Sequence, residues 1–365
     1  MRTLLSIILI LTTVSTLQGD VIFEFSYDDP PGVGLNDPAN QEFKEGIEEA
    51  GCLLGSFFDH QATIQISVKA YPDDYRGYDY ASMTAQYVSG EIVSFPSKGM
   101  GVIGPDGQVS IPTQILNAVE LHNVVHKKII LGEDLNGLEV EDANLLVNPK
   151  LKDILSFDKH DTERKADFVA IIMHELTHAL GFFSLVDSTL GIGFQYFNNG
   201  NIYYTAFDEY LINQRNAALV KDYLINHDMN DPYSVMYLAS PGDSDFHYFN
   251  GPHAKEANSG NPIPIDTGRA EMIPNQSLRY SYTGGMAHID IFRLESECTL
   301  PESPFENRVT THMMQGSTNA FYEQLPRQWS PIEKGILKDL GYKIKGEMQE
   351  EDPDDSWRSW FLSWF

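Results

Sequence analysis

Residues 171–187 read IIMHELTHALGFFSLVD, and this stretch constrains the fold more than any other in the chain. Val169, Ile172, Leu176 and Leu180 recur at three- and four-residue steps, the period of one helical face packed on a core. On that helix His174 and His178 stand four apart and so lie one turn above the other. Two imidazoles placed in this way can direct ring nitrogens at a single ion. Glu175 is adjacent to His174 and projects beside such an ion rather than onto it. Zinc lowers the pKa of a bound water to about 7 in favourable sites. The glutamate is then positioned to take a proton from that water and carry it to a leaving amine. Gly181 allows the helix to end in a left-handed turn that redirects the chain. The pattern implies zinc-dependent hydrolysis, with Zn2+ as the one catalytic cofactor.

Zinc needs a third protein ligand. In the compact form of this motif it follows the glycine by three residues, where this chain has Ser184. A hydroxyl does not ionise readily, so Ser184 is a poor ligand. Asp187 is the nearest carboxylate but lies beyond the compact spacing. Glu209, in FDEYL, suits an architecture in which a downstream helix supplies a glutamate. The downstream histidines are His227, His247, His253, His288 and His312. His288 stands in YTGGMAHIDIF, with small residues before it and a hydrophobic run after. His122 and His126 are also four apart, in TQILNAVELHNVVHKKII. No glutamate stands between them, and they read as ordinary positions of a helix over 113–130.

The chain has 365 residues, 42% hydrophobic and 12% aromatic, enough for one large domain or two lobes. It opens MRTLLSIILILTTVSTLQGD: one basic residue, a short apolar run, then small and polar residues. That is the pattern of a secretory signal peptide over 1–19, cleaved near Gly19, and it implies a secreted protein. The apolar run is short for a membrane anchor. Cys52 and Cys298 are then the two cysteines of an oxidising compartment, where one long-range disulfide or two buried thiols are the alternatives. Asn275-Gln276-Ser277 is a glycosylation sequon. A formal charge of −27 argues against nucleic acid and against docking on anionic lipid, and weakly favours basic substrates. The loop DDPPGVGLNDPAN is acidic enough for calcium but has no diagnostic ligand spacing.

Along the chain, 40–60 has helical periodicity through Phe43, Ile47, Ala50, Leu54 and Phe58. ATIQISVKAY alternates as a strand, with Ile64, Ile66 and Val68 on one face. DANLLVNP, 142–149, reads as a short strand, and the motif helix runs from about Arg164 to Leu180. SPIEKGILKDLGYKI predicts a helix from Pro331 to Leu340, stopped by Gly341. The expected class is α/β of the α+β kind. An upper lobe over 20–181 has a mixed twisted sheet and the zinc helix; an irregular lower lobe spans 182–345. A tail over 346–365 is acidic and then aromatic. Trp357, Trp360, Phe361 and Trp364 fall at helical spacing there, to dock on the chain itself, a partner or a membrane interface.

HELTHALGFFS, GGMAHIDIF, THMMQG and SPIEKGILKDLGYKI together resemble the leishmanolysin-like branch of the metzincin metallopeptidases, over about 140–343. FNGPHAKEANSGNPIPI resembles the segment that precedes the third histidine in that branch. The resemblance implies a metzincin-like fold and a secreted zinc endopeptidase with Glu175 as general base. It makes His288 the third ligand beside His174 and His178. It makes Met314 the methionine of the Met-turn, with Met313 the alternative, and His247 and His253 residues of an insertion. The chain departs from the family at Ala287, Ile289 and the Gln315-Gly316 pair after Met314. A peptide or protein substrate is expected antiparallel to an edge strand containing Asn144–Val147. Tyr322 or a backbone N–H would stabilise the oxyanion. The competing class is a secreted zinc-binding or adhesion protein without turnover; a purely structural site has no need for Glu175 beside the metal.

Overall fold

The structure is a computed structural model that describes residues 21–77, 79–98, 102–103, 109–110, 113–158, 165–185, 201–213, 216, 247–265, 288, 313–314 and 326–345. The signal segment, Cys298, the Asn275 sequon, Tyr322 and the tail lie outside the described residues. The fold mixes helices with several sheets, as an α+β class requires. Among the described residues no helix is long and apolar enough to cross a membrane.

The central sheet has the order β1-β2-β8-β3. β1 (Val21–Tyr27), β2 (Ala62–Ala70) and β8 (Ala143–Val147) run parallel, and β3 (Ala81–Ala85) closes the sheet antiparallel to β8. Parallel neighbours need a crossover, and α1 (Gln41–Ser56) supplies it between β1 and β2. Phe43, Ile47, Ala50 and Leu54 form its buried face, as their spacing predicts. Gly46 is where α1 meets the motif helix, because a Cβ there would stand 2.8 Å from the Phe168 ring. Phe43 and Phe168 pack edge to face at 5.0 Å across that crossing. The strand expected at the edge, Asn144–Val147, lies inside the sheet between β2 and β3. β3 is the edge strand next to the motif helix.

The predicted helix over 113–130 is wrong for most of its length. β4 (Tyr87–Lys98) and β7 (Thr113–Asn123) form a long antiparallel pair, with the two-residue strands β5 (Val102–Ile103) and β6 (Val109–Ser110) between them. α2 covers only Val124–Leu131, capped by the Asn123 side chain, which accepts from the His126 N–H at 2.9 Å. His122 therefore ends a strand opposite Val88, and His126 opens a helix. Pairing with a partner 15 to 36 residues away in the chain cannot be read from local periodicity, and it overrode a helical reading of TQILNAVELHN.

Beyond two short strands, β9 (Leu155–Ser156) and β10 (Ala166–Asp167), the motif helix α3 spans Phe168–Ala179. It starts later than Arg164 because Asp167 caps it, accepting from the Ala170 N–H at 3.1 Å. β11 (Asn201–Tyr204) adds to β7 in parallel. β12 (Leu211–Asn213), β13 (His247–Phe249) and β14 (Ile263–Ile265) form a small antiparallel sheet. α4 (Pro252–Ala257) and α5 (Pro331–Asp339) pack on one another so closely that a Cβ at Gly335 would sit 2.7 Å from the Ala254 Cα.

Among the described residues the Cys52 thiol is free and exposed. It sits on α1 two residues past Ala50, on the helix side away from the core, and its proposed partner Cys298 is outside the described residues. Asp28 and Asp29 of the acidic loop have protein donors: Asp28 accepts from the Ser67 hydroxyl at 2.6 Å, and Asp29 from Leu35 N–H at 2.8 Å.

His126 joins the core to the end of the chain, its Nε2 bonding the Leu340 carbonyl at 2.6 Å. A carbonyl only accepts, so the nitrogen carries the proton. Burial pushes His126 down to about 4, against that hydrogen bond. In the unfolded chain it charges near its ordinary value of about 6.5. The unfolded state therefore binds more protons as pH falls from 6.5 to 4, and stability drops over that window by roughly 3 kcal/mol. His126→Gln keeps a donor for Leu340 and does not titrate. Its urea midpoint is expected to fall less steeply than that of the native chain between pH 6.5 and 4.

Candidate metal centre

α3 is fixed before it holds anything. At its start, the Arg327 Nε donates to Asp167 at 2.7 Å and its Nη1 to Glu49 of α1 at 2.6 Å. At its back, Thr177 donates to the Met173 carbonyl at 2.8 Å and accepts from the buried Trp329 indole at 3.0 Å. At its end, the Leu180 carbonyl accepts from the Tyr342 hydroxyl at 2.6 Å, and Gly181 turns the chain with φ +94°. Four of these five hydrogen bonds are donated by Arg327, Trp329 and Tyr342, far away in sequence.

His174 and His178 project from one face of this helix, and His288 joins them. The Nε2 atoms of His178 and His288 lie 3.1 Å and 3.2 Å from that of His174. One ligand nitrogen from each of the three falls within 4.8 Å of the other two, and among the described residues no other group of histidine, cysteine or carboxylate side chains meets this condition. The Nδ1 of His174 donates to the Met313 carbonyl at 2.7 Å, and the Nδ1 of His178 to the Phe182 carbonyl at 2.9 Å. Carbonyls cannot donate, so these nitrogens hold the ring protons and each Nε2 presents a lone pair. The neutral form is favoured throughout. Burial pushes His178 down to about 3, lowers His174, and takes His288 well below its ordinary value. Facing lone pairs at this distance repel unless a cation lies between them. Bonds of about 2.0 to 2.1 Å at tetrahedral angles put ligand nitrogens about 3.3 Å apart, close to what is seen. The three histidines can hold a metal ion.

Ser184 takes no part in this group. Its hydroxyl is buried and donates to Asp208 at 2.5 Å. Asp208 also accepts from the Leu185 and Thr205 N–H groups and from the Thr205 hydroxyl, at 3.2, 2.8 and 3.0 Å. Burial still pushes its carboxyl up to about 6. The pair ties down the segment that carries the Phe182 carbonyl, and so the His178 ring. Glu209 lies next to Asp208 in a single 3-10 turn and is not in the histidine group. His247 belongs to β13 and His253 to α4, and neither joins it.

Glu175 faces the edge strand. The hydrogen bonds from Asn148 N–H to Tyr80 O and from Gln86 N–H to Asp142 O, both 2.9 Å, set the register of β3 on β8. Alternation then turns the backbone groups of Ala81, Met83 and Ala85 away from β8. The Glu175 carboxylate accepts from the Met83 N–H on that side. Burial pushes Glu175 up to about 8 against this bond, and Asp79 adds a smaller rise. Tyr71 is nearby, its hydroxyl donating to Ser82 at 2.7 Å. Burial raises its pKa, with Asp79 and Glu175 adding to the rise.

Met313 and Met314 are both fully buried below the histidines. Glu333 of α5, also fully buried, accepts from the Met314 N–H and, at 2.7 Å, from the Ser330 N–H. Tyr71, Met83, Asp208 and Glu333 were not singled out from the sequence. For Glu333 a signal existed, because Ser330-Pro331-Ile332-Glu333 has the spacing of a capping box, and the structure forms one. The others depend on strand register and long-range contact. No family model, curated protein or solved structure matches the chain.

If Ser184 is structural, Ser184→Ala leaves a buried carboxylate short of one donor. The expected cost is about 1 to 3 kcal/mol in chemical denaturation, with zinc stoichiometry unchanged. Zinc loss at unchanged stability would instead make Ser184 a ligand.

Proposed function

We propose that the chain is a zinc-dependent endopeptidase of the leishmanolysin-like metzincin kind, secreted after removal of residues 1–19. The observation that carries this reading is the convergence of three neutral imidazole nitrogens, those of His174 and His178 on the same clamped helix as Glu175 and that of His288 from elsewhere in the chain. Three nitrogen ligands that leave a coordination position open are the donor set of a hydrolytic zinc site rather than a closed structural one. A zinc ion held there would polarise the scissile carbonyl and make a water nucleophilic near neutral pH.

The chain's own groups supply the rest. The Glu175 carboxylate takes the proton of the attacking water and returns it to the amine nitrogen as the peptide bond breaks. A cation at the histidines favours the charged carboxylate and opposes the rise caused by burial, which brings the group towards the operating range of a general base. The Met83 N–H orients this carboxylate from the edge strand. A peptide lying antiparallel along β3 can pair with the outward backbone groups of Ala81 and Ala85, which flank Met83, and so pass the histidines in extended form. Extension exposes the scissile amide to Glu175. His174, His178 and His288 are the proposed ligands, Glu175 the general base, and β3, not β8, the docking strand.

The test is cleavage of an unstructured peptide library, read by mass spectrometry, with the native chain beside Glu175→Gln. The native chain is expected to cut, and the variant to retain zinc and lose about 10² to 10⁴ in kcat/KM, the contribution of positioned proton transfer, because loss of the base leaves attack unassisted. Zinc bound by both with no cleavage by either would assign the chain to non-catalytic zinc binding.

A further inference from the structure

Two carbonyl groups hold the rings of His174 and His178, and they differ in what stands behind them. The Met313 carbonyl that accepts from His174 belongs to the same peptide unit as the Met314 N–H. That N–H donates to the carboxylate of Glu333, which is 0% exposed. The second Glu333 oxygen accepts from the Ser330 N–H, and the Ser330 hydroxyl accepts in turn from the Glu333 N–H at 3.2 Å. One rigid peptide plane therefore carries a histidine on its oxygen and a carboxylate on its hydrogen.

An acceptor at the N–H end draws electron density through the amide to the carbonyl oxygen and makes it a stronger acceptor, most of all when the Glu333 carboxyl is ionised, a form that burial opposes by pushing it up to about 7 and that the Met314 and Ser330 N–H groups favour. The distances follow this order. The His174 bond to Met313 is 2.7 Å, and the His178 bond to Phe182 is 2.9 Å. Hydrogen-bond partners of this kind fix the tautomer of a ligating imidazole and raise its basicity, and their loss costs about tenfold to a hundredfold in metal affinity.

We infer that Glu333 is a positioning residue of the metal centre, acting through the Met313–Met314 peptide to orient His174 and strengthen it as a ligand. The inference rests on the zinc reading above. It also gives α5 a role that helix capping does not explain: its first turn serves the histidine site through a buried side chain.

The test compares Glu333→Gln with Ser330→Ala by chelator competition for Zn2+ on the full chain. Ser330→Ala removes the hydroxyl half of the capping box and leaves the carboxylate on Met314. Glu333→Gln is expected to lose tenfold or more in zinc affinity and Ser330→Ala less than threefold, with both folded by circular dichroism. Equal affinities in the native chain and Glu333→Gln overturn the inference and leave the peptidase reading intact. Zinc bound with the expected ordering but no peptide cleaved leaves the inference and sinks the peptidase reading. Failure of the native chain to bind zinc overturns both. Because Glu333→Gln can fail to fold, proton NMR of the zinc-loaded native chain is the second measurement. The Nδ1 proton of His174 is expected downfield of that of His178, and the reverse order overturns the inference.

Discussion

Three uncharged imidazole nitrogens point their lone pairs at one small volume, and much of the described structure is arranged to keep them there. Convergence of this kind is repulsive by itself. It persists because each constraint acts on the ring from behind: carbonyl acceptors on Nδ1 for His174 and His178, and burial that keeps all three rings neutral. A divalent cation turns the same geometry from repulsive to attractive. Binding energy of that sort is shared with folding, since the unfolded chain has no such site.

The supports come from widely separated parts of the chain. Phe182 follows α3 directly, and its segment is pinned by the Ser184–Asp208 pair. Met313 arrives from 139 residues beyond His174, and α5 fixes its peptide. Arg327, Trp329 and Tyr342 clamp the start, back and end of α3. The final described segment also returns to α1, where Lys345 N–H bonds the Phe57 carbonyl at 2.8 Å. Residues 326–345 thus act as a strap across the helix that carries two of the three histidines. Net hydrogen bonds of about 1 kcal/mol each are modest singly, but here several act on one twelve-residue helix.

The edge of the sheet adds what the histidines lack. A metal ligand set alone binds. On the proposed peptidase reading, Glu175 held next to it by Met83 is the base, and the outer backbone groups of β3 are where an extended chain would pair. Among the described residues β3 is an edge of the sheet, and on that reading an edge that a sheet ordinarily has to guard against aggregation would serve as a docking strand.

Local pattern alone was enough for the existence of α1, β2, β8, α3 and α5, because each has a strong period and α5 has a stopping residue in Gly341; the Asp167 cap that sets the start of α3 was not read from it. It also brought His174, Glu175 and His178 together, since their spacing lies within about one helical turn. The resemblance of GGMAHIDIF to a family pattern pointed to His288; spacing did not, because the nitrogen that completes the group comes from 110 residues beyond His178. Only the tertiary structure decided the rest. TQILNAVELHN became a strand because β4 was there to pair with it. Asn144–Val147 became interior because β3 folded back beside it. Ser184 was assigned to Asp208, and Glu333 to a peptide it serves from another helix. Periodicity reports the environment a residue's neighbours prefer, whereas register, edges and buried polar partners depend on which distant segments arrive, and the local sequence does not record that.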